Sequence, residues 1–128
     1  MARRLVLSLT DDARAFRRAV VDPAHRALGR FLESGVGATA GEEYVEMREA
    51  AVAASRGDSV EDWFATEAFT VHVAGATTTI ECDYDEDLRV TIATEDFLGA
   101  LEVYAKFVDG RGVSLSGPVT DGDRSVER

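Results

Sequence analysis

The sequence predicts an α+β fold: a single-layer antiparallel sheet of three to five strands with three to four helices packed on one face. The first observation is that residues 68–92 contain three stretches of alternating apolar and polar residues, separated by short turn-forming segments, as in a β-meander. The second is that apolar residues elsewhere recur at helical spacing behind capping or acidic residues. One face of such a sheet is buried under the helices and the other faces water.

The beginning of the chain predicts a strand and then a helix. Residues 3–9 alternate between apolar and polar side chains, which indicates a strand at the edge of a sheet. Its apolar side is formed by Leu5, Leu7 and Leu9. Thr10 is the expected N-cap of the helix, and Asp11 and Asp12 suit the positive end of its dipole. The inward side of this helix would be Ala13, Phe16, Ala19 and Val20, and its outward side Arg14, Arg17 and Arg18.

Two further helices are predicted before the meander. Asp22-Pro23 is a cap followed by proline at the first helical position, so a helix is expected to begin there and to end at Gly35. After a glycine-rich loop at residues 34–41, the next helix runs from Glu42 to about Arg56. Their buried residues would be Leu28, Phe31 and Leu32 in the first, and Tyr44, Met47, Ala51 and Ala54 in the second.

The segment that follows resembles a capping box. It reads Ser59-Val60-Glu61-Asp62, with aspartate in place of the usual glutamate. A short helical turn is therefore expected, in which Trp63 and Phe64 pack against the core.

Side-chain parity sets the register of the meander. With Gly75-Ala76 as a two-residue loop, the expected pairs are Val73 with Thr78, Val71 with Ile80, and Phe69 with Cys82. With Asp85-Glu86-Asp87 as a three-residue loop, they are Tyr84 with Leu88, Cys82 with Val90, and Ile80 with Ile92. Both loops place the apolar residues, including Cys82, on the buried face. The solvent face would carry Thr70, His72, Thr77, Thr79, Glu81, Asp83, Arg89 and Thr91.

A last helix and a tail complete the prediction. Thr94 can cap a helix whose apolar positions are Phe97, Leu101, Tyr104, Ala105 and Val108. After Val108 the composition changes to Gly, Ser, Asp and Arg, within which Val113 and Leu115 could add a short edge strand. We therefore expect one domain over residues 1–116 and a flexible C-terminal tail over residues 117–128.

Composition and charge restrict the classes of function. The formal net charge is −10, and residues 1–30 carry seven arginines against three aspartates, so the remainder carries −14. Such a field repels phosphates and disfavours a nucleic-acid partner. No apolar run approaches the roughly 20 residues that span a bilayer, and the N-terminal apolar stretch is too short for a signal peptide. With one cysteine an internal disulfide is excluded, which indicates a cytoplasmic location.

No motif predicts a catalytic residue, a cofactor or a metal. Gly35-Val36-Gly37 lacks the lysine and the third glycine of a phosphate loop. His72 and Cys82 would lie on opposite faces of the sheet, so they could not share an ion, and His25 stands alone near a helix start. The spacing Asp83-x-Asp85-x-Asp87 matches the start of a calcium loop but lacks its glycine and distal glutamate. His72 has Glu81 as a diagonal neighbour, but a flat sheet face is not a catalytic pocket.

The second half of the chain resembles two groups of small bacterial proteins. The stretch is Arg89-Val90-Thr91-Ile92-Ala93-Thr94-Glu95-Asp96-Phe97-Leu98, a strand followed by a capped helix, behind an acidic hairpin. Together with residues 47–51 and 104–108 it is similar to the uncharacterised YacL-like family. The same hairpin-and-helix ending is similar to immunity proteins that neutralise toxins, many of them nucleases. The resemblance covers about residues 42–108, implies binding to a protein and transfers no site residue.

The function expected from these observations is that of a small acidic, non-enzymatic binding protein, specifically an immunity-type inhibitor of a basic, nuclease-like toxin. Carboxylates aimed at a basic cleft speed association and imitate phosphate. The expected partner-binding residues are Glu81, Asp83, Asp85, Glu86, Asp87, Arg89 and His72. The alternative is a housekeeping or regulatory domain that is acidic because its proteome is acidic. No membrane or nucleic-acid partner is expected, and a homodimer remains compatible with the sequence.

Overall fold

The computed structural model describes residues 5, 7–11, 17–34 and 41–110. The strands are β1 (Leu7–Asp11), β2 (Arg17–Val21), β3 (Glu61–Ala65), β4 (Phe69–Ala74), β5 (Thr77–Cys82) and β6 (Asp85–Ala93). The helices are α1 (Arg26–Ser34), α2 (Glu42–Ser55) and α3 (Thr94–Gly110), and a 3-10 turn at Pro23–His25 leads into α1. No helix in these ranges is long and apolar enough to cross a membrane.

The predicted α+β class is confirmed, but the strands form two sheets. β3, β4, β5 and β6 make one antiparallel sheet in sequence order, and β1 and β2 make a separate antiparallel hairpin. α1 packs against β5 and β6, while α2 packs against β3 and β4. The hairpin contacts α1 through β2 and α3 through β1. One buried cluster joins these elements, and its largest fully buried side chains include Tyr104, Phe31, Phe97 and Phe107.

The three long helices lie where capping and periodicity predicted them. Pro23 opens the 3-10 turn before α1, and the buried residues predicted for α1 and α2 are all buried. Gly57 follows α2 with φ +95°, a left-handed conformation that glycine adopts without strain. α2 and α3 pack side by side, and the Tyr44 hydroxyl donates to the Leu101 carbonyl oxygen at 3.2 Å.

The helix predicted after Thr10 is wrong wherever the chain is described. Thr10 and Asp11 continue β1, and Arg17–Val21 is β2, paired so that Leu9 faces Ala19. Ala19 and Val21 pack against the core, whereas Val20, predicted to face inward, is 63% exposed. This alternation has the period of a strand, and pairing with β1 overrides the local helical signal. Ala13, Arg14 and Phe16 lie outside the described residues.

The helical turn predicted from the capping box is also wrong, because Glu61–Ala65 forms β3. The Val60 carbonyl oxygen accepts the Gly75 N–H at 2.7 Å, and β3 pairs with β4 along its whole length. Phe64 packs partly against the core as predicted, whereas Trp63 is 61% exposed on the other face.

The register prediction is confirmed for the first hairpin of the meander and wrong for the second. Phe69 pairs with Cys82, Val71 with Ile80, and Val73 with Thr78. The second turn is Asp83-Tyr84, so Ile80 pairs with Val90 and Thr78 with Ile92. Cys82 pairs with Asp85 and Glu81 with Arg89, which leaves residues 86–88 without a partner of their own on β5. The error is a shift of two residues, so Ile80, Val90 and Ile92 keep the predicted face. The predicted pair of Tyr84 with Leu88 is wrong, because Tyr84 lies in the turn and is 81% exposed.

Thr94 joins the start of α3 to the turn between β4 and β5. Its N–H donates to the Ala76 carbonyl oxygen at 2.8 Å, and its hydroxyl donates to the Gly75 carbonyl oxygen at 2.7 Å. The buried Thr78 hydroxyl lies 2.9 Å from the Thr94 hydroxyl and donates to it, because the Thr94 proton is already used.

Other predictions fall outside the described residues. They concern most of the glycine-rich loop at residues 34–41, the strand at Val113 and Leu115, and the tail at residues 117–128.

Candidate functional site

The open face of the four-stranded sheet is a flat surface of mainly short side chains. Cross-strand pairing aligns its residues in three rows. The rows are Ala65, Thr70, Glu81 and Arg89; Trp63, His72, Thr79 and Thr91; and Glu61, Ala74, Thr77 and Ala93. The polar face predicted from parity is thus present, and β3 adds Glu61 and Trp63 to it.

Trp63 and His72 form a stacked aromatic pair on this face. Their ring centroids lie 3.6 Å apart with an interplanar angle of 3°. His72 Nε2 lies 2.9 Å from Glu61 Oε2, and because a carboxylate only accepts, Nε2 is the donor. The predicted neighbour, Glu81, instead lies 3.8 Å from Arg89 Nε. Glu81 is the diagonal neighbour of His72 in the register, as predicted, but the imidazole is hydrogen-bonded to Glu61 on β3.

Threonines hold the remainder of the face through side-chain hydrogen bonds. Thr70 Oγ1 donates to Asp83 Oδ1 at 2.8 Å, and the Thr79 and Thr91 hydroxyls lie 2.8 Å apart. These bonds run across the strands and fix the side chains in place.

The end of the β5–β6 hairpin is the most acidic exposed segment of the described sheet. We call residues Asp83–Asp87 the acidic hairpin; all five residues are exposed, and the Tyr84 side chain is 81% exposed. The Asp85 carboxylate accepts the Asp87 N–H at 3.0 Å, which is a local turn contact. Four exposed carboxylates therefore flank one exposed tyrosine in this segment.

A groove runs between α2 and β3 along the other edge of the sheet. Its volume is about 370 Å³. Glu46, Glu49 and Asp62 supply exposed carboxylates, and Ala50, Val60 and Phe64 supply apolar surface. None of its lining residues is basic. We call this the β3 groove; sequence reasoning missed it because β3 was predicted to be helical.

Cys82 lines a second depression, of about 530 Å³, beside Phe69 and Leu88. Cys82 packs against the core, as predicted, but its side chain is only partly buried. Arg18, Arg30 and Glu33 also line this depression, which therefore carries both signs of charge.

His25, predicted to stand alone, is buried and paired with Asp22. Its Nδ1 lies 2.7 Å and 2.9 Å from the two carboxylate oxygens, so Nδ1 is the donor. Burial alone would raise the pKa of the Asp22 carboxyl, but the hydrogen bond and charge of His25 outweigh it and lower that pKa.

The side chains weighed as metal ligands, His25, His72 and Cys82, do not form a metal site in the described part of the chain. In the ranges that the structure describes, no group of three or more His, Cys, Asp or Glu side chains is arranged to hold an ion. The aspartates of the calcium-like spacing are engaged separately, Asp83 with Thr70 and Asp85 with the Asp87 backbone.

No family model, curated protein or solved structure matches this chain. The resemblance to the YacL-like family and to immunity proteins therefore stays a prediction, and the function has to be argued from the geometry of the sheet.

Proposed function

We propose that the protein is a non-enzymatic, cytoplasmic binding module that covers a basic surface of a partner protein. The specific form of this proposal is an immunity-type inhibitor, whose carboxylates occupy the positive cleft of a nuclease-like toxin. The acidic hairpin is the observation that carries it.

The acidic hairpin combines two properties of a protein-binding surface. Its exposed carboxylates produce a local negative field, which steers a basic partner and raises the association rate. Tyr84 offers an exposed aromatic side chain, and tyrosine is enriched among the residues that dominate binding energy. Glu81 and Arg89 extend this surface onto the open face, where His72 lies one row further on.

The proposal is tested on the partner that co-purifies with the protein from its native host. The hairpin variant combines Asp85→Asn, Glu86→Gln and Asp87→Asn. Exposed substitutions of this kind usually change the free energy of unfolding by less than about 1 kcal/mol. We expect the hairpin variant to associate about tenfold more slowly in 0.15 M salt, and the difference to shrink as salt is raised.

The matched control removes the same charge outside both the acidic hairpin and the β3 groove. This control variant combines Glu42→Gln, Asp58→Asn and Glu95→Gln, all at exposed positions. Its association rate with the native partner should stay within about twofold of the unmodified protein, because screening confines the effect to close contacts. Equal slowing by both variants, or an acidic partner, would support the alternative that the acidity reflects its proteome.

A further inference from the structure

The outer edge of β3 is open within the described residues, where β3 pairs only with β4. The Gly75 N–H donates to the Val60 carbonyl oxygen at 2.7 Å, and the Thr66 N–H donates to the Phe69 carbonyl oxygen at 2.9 Å. Hydrogen-bonded and non-hydrogen-bonded pairs alternate along an antiparallel ladder, so the even-numbered residues direct their backbone groups to β4. The backbone groups that point outward belong to Glu61, Trp63 and Ala65.

The two sides of this edge differ in chemistry. On the side facing the helices lies the β3 groove, with the carboxylates of Glu46, Glu49 and Asp62 beside an apolar floor. A strand added to β3 would direct every second side chain into this groove. Three carboxylates without a basic lining residue favour arginine or lysine at those positions.

Trp63 occupies the other side of the edge. One face of its indole stacks on His72, which lies on β4, so the other face is turned toward the open edge. Such a ring face attracts a guanidinium or ammonium group. Trp63 is thus placed to contact the added strand from the open face of the sheet.

We propose that β3 binds an extended segment of a partner protein as a fifth strand, and that this segment carries arginine or lysine at alternate positions. Main-chain hydrogen bonds to Glu61, Trp63 and Ala65 would hold the segment, and the groove carboxylates would select its charge. A second copy of this chain is a poor occupant, because it would bring its own groove carboxylates against these three. The proposal does not rest on the acidic hairpin, which joins β5 to β6 and contacts β4, not the outer edge of β3.

The probe is a short peptide of alternating arginine and valine with blocked termini. Binding is followed by the fluorescence of Trp63, the single tryptophan of the chain, and by the NMR shifts of the backbone amides. We expect saturable binding in 0.15 M salt, with the largest amide shifts at Glu61, Trp63 and Ala65. A peptide of the same composition with its arginines in one block should bind at least about tenfold more weakly, because it cannot place its charges on one side.

Charge and strand pairing are tested separately. The groove variant combines Glu46→Gln, Glu49→Gln and Asp62→Asn. It should lose about tenfold or more in affinity for the alternating peptide, whereas the hairpin variant should change that affinity less than about twofold. Two further peptides are N-methylated at alternate residues, one at the arginines and the other at the valines. One of them should not bind and the other should bind normally, because only every second N–H of the added strand faces β3. Ala65→Pro, which removes an outward N–H but no bond to β4, should also abolish binding.

Several outcomes would overturn the proposal. The first is that the alternating peptide does not bind, and the second is that the block peptide binds equally well. The third is that the groove and hairpin variants lose the same affinity for the alternating peptide. The fourth is that both methylated peptides bind with the same affinity. Peptide-dependent shifts confined to the acidic hairpin would overturn it as well. Because the methylated peptides are tested on the unmodified protein, this arm stands even if Ala65→Pro does not fold.

Discussion

At the scale of single residues, Asp22 and His25 close the turn between β2 and α1. The His25 backbone N–H donates to the Asp22 carbonyl oxygen at 2.9 Å, and its ring binds the Asp22 carboxylate. His25 is buried and the Asp22 side chain is only 21% exposed, so the pair is largely shielded from solvent. Charge-assisted hydrogen bonds in such surroundings are stronger than neutral ones.

We expect Asp22→Asn to lower the free energy of unfolding at neutral pH by about 1–2 kcal/mol, because the charged partner of His25 is lost. The pKa of the Asp22 carboxyl is lowered in the folded state. Its contribution to the free energy of unfolding is therefore fully present at pH values above its pKa in the unfolded chain, about 3.9. The contribution disappears as the pH falls below that value through the folded pKa. Urea unfolding across this acid range should therefore show a steeper loss for the unmodified protein than for the variant.

Asp58→Asn is the matched control for this prediction, since Asp58 is exposed at the end of α2. It should retain the steep acid dependence of the unmodified protein. If the two variants show the same dependence on pH, Asp22 does not contribute in this way.

At the scale of elements, the contact between α1 and β2 depends on Gly29. A Cβ built at this position would lie 2.9 Å from Val21 Cγ2 and 3.5 Å from Ala19 Cβ. The β-branched Val21 side chain has few rotamers with which to yield. The close approach of the hairpin to α1 therefore requires a residue without a side chain at this point of the helix.

Gly29→Ala should destabilise the protein by about 1–2 kcal/mol, although the same change in an open helix usually stabilises by about 1 kcal/mol. In a Val21→Ala background, where the clashing methyl groups are absent, the same substitution should be neutral or stabilising. A double-mutant cycle measured by urea unfolding gives this coupling. Stabilisation of equal size in both backgrounds would mean that the hairpin does not approach α1 so closely.

The elements that could be predicted from sequence are those whose local signals agree with one another. Gly75, with φ +58°, supplies the left-handed residue of a tight hairpin, and its register was correct. By contrast, residues 85–87 are as polar as a loop but belong to β6. Their composition does not predict the register shift between Glu81 and Cys82. The sequence did not predict β2 and β3, because a segment of five residues fits the apolar spacing of a helix and that of a strand equally well. Pairing with a neighbouring strand decides which structure forms.

At the scale of the whole molecule, the candidate site was predicted in part. The polar face followed from the alternation of side chains along each strand, because a register shift of two residues leaves each paired side chain on the same face of the sheet. The exposure of the four carboxylates in the acidic hairpin followed from composition, whereas Tyr84 was predicted to be buried and is exposed. The Trp63–His72 stack and the β3 groove could not be found, since both depend on a strand that the capping-box pattern concealed.

The order of the strands in the sheet has a consequence for the folding pathway. β3 to β6 pair with their sequence neighbours, and Thr94 connects the next helix to the β4–β5 turn, so few long loops must close. The β1–β2 hairpin packs on α1, its neighbour in sequence, and through β1 also on α3, from the opposite end of the described chain. Amides of β4 and β5 should therefore exchange with solvent deuterium only on global unfolding, and those of β1 and β2 through an earlier partial opening. Equal protection of both sheets would mean that the molecule opens as one unit. Lower protection of β1 and β2 would mean that the hairpin detaches before the four-stranded sheet unfolds.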